Sequence, residues 1–86
     1  AMTIKLNREM SELLLNEVED IDPFVVSQRE LDEGIVELDV SDIDEVQLLI
    51  NDEIVYRGLD KQDTVNDLGK RLYDLYDEVL YQKHHS

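Results

Sequence analysis

Leu6, Met10, Leu13, Leu14, Val18 and Ile21 recur at three- and four-residue spacing, the period that gathers side chains on one face of a helix. Asn7 stands ahead of the run, where its side chain can accept from a free backbone N–H, so the spacing predicts a first helix from Arg8 to about Glu19. Asp22-Pro23 ends it, because the residue before proline is pushed out of the helical region, and Phe24-Val25-Val26 has the β-branched and aromatic character of a strand. After a turn at Gly34, residues 35 to 40 alternate: Val36, Leu38 and Val40 fall on one side, Glu37 and Asp39 on the other. That is the pattern of a half-buried strand.

Two more apolar runs, Val46 to Ile50 and Glu53 to Arg57, flank Asn51-Asp52, a pair of residue types that tolerate the positive φ of a two-residue hairpin turn. A hairpin there sets Leu48 opposite Val55 and Leu49 opposite Ile54, with apolar side chains on both faces. Such a hairpin sits centrally in a sheet or offers an apolar face to a partner. Gly58 closes the segment, Asp60 or Asp63 can cap the next helix, and Val65, Leu68, Leu72, Leu75, Tyr76 and Val79 predict that final helix from about Lys61 to Gln82. Gly69 inside it costs about 1 kcal/mol relative to alanine, which predicts close packing there against the sheet or the first helix.

These elements give an α+β fold of order α-β-β-β-α, an antiparallel sheet of three or four strands with two helices packed on one face. The order resembles the topology of the double-stranded-RNA-binding domain. That family needs a basic cluster at the start of its last helix, and the matching stretch here reads Asp60-Lys61-Gln62-Asp63-Thr64, so RNA binding does not carry over. One proline and three glycines in 86 residues leave no linker, and the expected organisation is a single domain over 2–83 with a disordered tail at 84–86. Ala1 ahead of Met2 is read as an expression remnant.

Charge changes the picture more than composition does. The formal net charge is −14, and it is unevenly placed: from Glu9 to Glu53 sixteen acids face the single cation Arg29, whereas from residue 54 onward six acids face five bases. Phosphates of nucleic acids or lipid headgroups are repelled by such a surface, so no direct nucleic-acid or membrane contact is expected. The partner expected is another protein with a basic surface, or a second copy of the chain. The longest apolar runs, such as Leu13-Leu14-Leu15 and Leu48-Leu49-Ile50, are too short to span a bilayer. The absence of cysteine suits a reducing cytoplasm.

Little in the chain suggests catalysis. Asp42-Ile43-Asp44 opens with calcium-loop spacing, but Val46 and Gln47 stand where a loop needs further oxygen ligands and a glycine, so no metal site is expected. His84 and His85 stand at the chain's end, where an imidazole is poorly held for catalysis. No cysteine, no serine in a nucleophile elbow and no glycine-rich phosphate loop is present. The expectation is therefore a protein-interaction or regulatory module, without cofactor and not an enzyme. Its candidate surface comprises the acids Glu37, Asp39, Asp42, Asp44 and Glu45 with the tyrosines Tyr56, Tyr73 and Tyr81. The alternative is nucleic-acid mimicry: alternate strand residues such as Glu37 and Asp39 repeat at roughly 6.6 to 6.8 Å, about twice the 3.4 Å rise per nucleotide.

Overall fold

The computed structural model describes residues 1–62 and 64–85. The chain opens with a strand, β1 (Met2–Asn7), and continues through α1 (Arg8–Glu17), β2 (Val25–Glu30), β3 (Ile35–Val40), α2 (Ile43–Arg57) and α3 (Asp67–His84). The fold is α+β with a three-stranded antiparallel sheet and three helices. The expected α-β-β-β-α order with two helices is thus corrected to β-α-β-β-α-α, and the topological likeness to the double-stranded-RNA-binding domain goes with it.

β3 lies between the two edge strands and pairs antiparallel with both, Ile4 against Leu38 and Gln28 against Leu38. β1 and β2 therefore run in the same direction, joined by α1 with β3 inserted between them, a split β-α-β arrangement. Alternation decides which face is covered. Ile4 and Leu6 join Val36, Leu38 and Val40 in the core, where they meet Leu13 and Leu14 of α1, Val18 just beyond its end, Val46, Ile50 and Ile54 of α2, and Leu72, Leu75 and Val79 of α3. All three helices feed this one cluster. The opposite sheet face is open, and its central row sets Glu37 between Lys5 and Arg29.

Four sequence expectations change for identifiable reasons. β1 was not predicted, because its alternation contributes only Ile4 and Leu6 to the core and Leu6 also fits the helical stripe that begins beside it. The hairpin over Val46 to Arg57 is instead the continuous helix α2. Its buried residues Val46, Ile50 and Ile54 stand four apart, Asp42 caps it by accepting from the Glu45 N–H at 3.2 Å, and Asp44 and Glu45 sit in the first turn, where carboxylates favour the helix dipole. Asn51-Asp52 is an exposed turn of that helix. The last helix starts at Asp67 and not near Lys61 because Leu59 and Val65 form a bridge, and Asp60 Oδ1 accepts from the backbone of Gln62 and Thr64 to close a turn. The helix cap is Asn66, which accepts from the Gly69 N–H at 2.8 Å; the alternative cap Asp63 lies outside the described residues.

Asn66 also joins α2 to α3, since its Nδ2 donates to the Arg57 carbonyl and its N–H to the Gly58 carbonyl. Gly69 packs closely as expected, but against Gly58 and neither sheet nor first helix: a Cβ on Gly69 would stand 2.2 Å from the Gly58 carbonyl oxygen. At the far end α3 reaches His84, one residue beyond the expected boundary at 83, and the His85 ring stacks on Tyr81 with centroids 4.1 Å apart. Ser86 lies outside the described residues.

Candidate interaction surface

Since Val46, Ile50 and Ile54 turn inward, the opposite side of α2 is fixed by helix geometry at about 100° per residue. Leu48 and Val55, seven positions apart, lie within about 20° of one another on that side, with Asp52 and Tyr56 flanking them. Leu48 is 56% exposed, Val55 65% and Tyr56 78%, and Leu49 lies half-buried against the core. Isolated exposed apolar residues are ordinary, but a row of them on one helix face is not.

Beside this row the chain leaving α1 comes close to α2, and the two form an open hollow of about 540 Å³ lined by Glu19, Asp20, Leu49, Asp52, Glu53, Val55 and Tyr56. Glu53 holds the hollow's shape. Its carboxylate is buried, one oxygen accepting the Glu19 backbone N–H at 3.0 Å and the other the Arg57 Nε–H at 2.8 Å. Arg57 in turn donates to the Glu17 carbonyl, so one ion pair ties the end of α1 to the end of α2. The hydrogen bond from Glu53 raises the Arg57 guanidinium above its ordinary value, against the opposing effect of burial and with help from the charges of Glu53, Glu17 and Glu19. Glu53 is therefore matched within the fold, and Glu19, Asp20 and Asp52 give the hollow its negative sign. Among the described residues no basic side chain lines it.

The residues expected from sequence to form one surface are dispersed over three regions. Glu37 and Asp39 lie on the open sheet face, Glu37 paired with Arg29 at 3.0 Å and Asp39 opposite Thr3 and Ser27. Asp42, Asp44 and Glu45 cluster at the start of α2, where Asp42 is a cap and Asp44 pairs with Lys83 of α3. Tyr56 stands at the hollow, while Tyr73 and Tyr81 are exposed on α3 and do not line it. Sequence reasoning offered Leu48 and Val55 as a partner face only through a hairpin that does not form, and missed Asp52, Glu19 and Asp20 as their neighbours. The usable signal was the excess of apolar residues that a stripe at 46, 50 and 54 leaves unassigned.

Chemically the hollow has an aliphatic wall, an exposed aromatic ring and carboxylates at the rim, which suits a cationic side chain with an apolar stem. Among the described residues no group of three or more acids or histidines could hold a metal ion, and no helix is long and apolar enough to cross a membrane. Compared with protein-family models, with curated proteins and with solved structures, the chain matches none of them.

Proposed function

We propose that this chain is a cytoplasmic protein-interaction module, not an enzyme, that docks its partner on the outward face of α2. The observation that carries the reading is the row of Leu48, Val55 and Tyr56, each more than half exposed on one helix whose other side supplies the core. Exposed aromatic and aliphatic residues framed by charge are the composition of an interface centre and rim. Mimicry of nucleic acid has less support: carboxylates stand on every element except β1, and Glu30, Glu37 and Asp44 face Arg8, Arg29 and Lys83, so no regular unpaired array forms on the sheet.

The test compares the wild-type chain with the double variant Leu48→Gln/Val55→Gln as bait in lysate of the native host. Glutamine is a good helix former, so the circular dichroism spectrum and thermal midpoint should hold while a specific partner is lost. Equal recovery of the same partners by both baits sinks the proposal. If those partners bind nucleic acid and elute with salt, mimicry takes its place.

A further inference from the structure

Resting on that reading, we infer that the occupant of the α2 face is a cationic amphipathic helix, its apolar stripe lying on Leu48 and Val55 and an arginine or lysine entering the hollow beside Tyr56. Charge complementarity points to this partner. The hollow is lined by four carboxylates and, among the described residues, by no cation; Glu53 is matched by Arg57, which leaves Glu19, Asp20 and Asp52 facing the site. Farther along the same helix Glu45 adds to the sign, while Asp44 is taken up by Lys83. A partner of positive charge meets attraction at the hollow, and one of negative charge meets repulsion along the whole approach.

A second copy of the chain fits poorly. A two-fold contact sets the same patch against itself, so the carboxylates Asp52, Glu19 and Asp20 of one copy would meet a patch of the same sign, with no base among the described residues lining the hollow to offset them. Lipid and nucleic-acid phosphates meet the same obstacle. The length of the row favours a helix as the occupant. Seven residues separate Leu48 from Val55, about 10.5 Å or two turns, which a partner helix matches with apolar residues at i, i+3 or i+4, and i+7. Tyr56 then offers its ring face to the stem and head of a flanking arginine or lysine, whose charge the three carboxylates receive.

The experiment uses the full chain and a fluorescent synthetic helix of about 18 residues, carrying leucines at i, i+3 and i+7 flanked by arginines and lysines. Binding is read by anisotropy and mapped by amide chemical shifts. The inference expects shifts centred on the exposed face of α2 and on Glu19 and Asp20. It also expects affinity about tenfold or more weaker in Glu19→Gln/Asp20→Asn/Asp52→Asn, against less than about twofold in the control Glu9→Gln/Glu12→Gln/Asp74→Asn, which removes equal charge elsewhere. The same peptide with glutamates replacing its basic residues should not bind. Equal losses in the two triple variants, shifts mapped to another face, or no binding at all would overturn the inference. The docking reading has its own separate failure, unchanged capture by Leu48→Gln/Val55→Gln. If that variant loses its cellular partner while Glu19→Gln/Asp20→Asn/Asp52→Asn keeps it, the face stands and the cationic helix is rejected.

Discussion

Glu53 is 5% exposed, and its carboxylate is stabilised by two donors, the Glu19 N–H and the Arg57 guanidinium. Breaking a buried pair by removing one partner costs about 3 to 5 kcal/mol when both members are enclosed. Arg57 is partly exposed here, so Glu53→Ala should lower stability by a smaller amount, about 2 kcal/mol by urea unfolding. Glu53→Gln, which keeps one acceptor, should lie between the two proteins. The raised Arg57 also fixes a pH response. A base raised in the folded state lends its stability below its unfolded value and loses it only as pH climbs through the folded one. For a guanidinium that window lies far above neutrality, so Arg57 adds no step to stability between about pH 6 and 9; a step there that vanishes in Arg57→Gln contradicts the assignment. Gly69 makes the other sharp residue-scale case. A Cβ added there would stand 2.2 Å from the Gly58 carbonyl oxygen, and backbone cannot swing aside. Gly69→Ala should therefore lower the midpoint by roughly 8 to 16 °C, as expected of about 2 kcal/mol in a domain of this size, despite the better helix propensity of alanine.

At the scale of elements, β3 was readable to the residue because Val36, Leu38 and Val40 alternate cleanly with polar positions and all three are buried. The first helix was plain at its start, Asn7 accepting from the Met10 N–H at 2.7 Å, but it ends at Glu17, short of the expected Glu19. α2 was not, and for a reason that bears on function. Leu48, Val55 and Tyr56 fill the side of the helix that polar residues normally mark, so the period was hidden and both faces read as apolar. The residues that obscured the helix are the ones proposed to bind. Of the two edge strands β2 was expected from Phe24-Val25-Val26, whereas β1 was illegible, since its pairing joins distant segments. β1 is closed at its centre by Gln82 of α3, whose side chain accepts from the Lys5 N–H at 2.9 Å and donates to the Lys5 carbonyl at 2.6 Å. An amide thus stands where a neighbouring strand would, a guard against edge-to-edge pairing. Gln82→Ala should cost about 1 kcal/mol, speed hydrogen exchange at the Lys5 amide, and give concentration-dependent self-association in light scattering where the wild type gives none.

For the whole molecule, the uneven charge was legible at once, but its placement needed the fold. Among the described residues four acids are spent on ion pairs, with Arg8, Arg29, Arg57 and Lys83, and the excess of 22 acids over 8 bases leaves like charges to repel across the surface. Salt screens repulsion and attraction alike, with a Debye length of about 10 Å at 0.1 M. Where repulsion dominates, the balance favours folding, so the thermal midpoint should rise between about 0.05 and 0.5 M sodium chloride. A fall would mean that the ion pairs outweigh the excess charge.

The contact between Lys5 and Gln82 spans 77 residues, and this separation has a meaning for biosynthesis. β1 waits for β3 to pair, and its edge waits for almost the last turn of α3. At 5 to 20 residues per second, synthesis holds Ile4, Leu6 and the apolar side of α1 without their full cover for roughly 4 to 16 s. Residues 1–53, made before α3, are also the stretch in which 16 acids face only Lys5, Arg8 and Arg29. Like charge at that density repels a second such chain, which opposes contact between leucines and isoleucines that α3 has not yet covered.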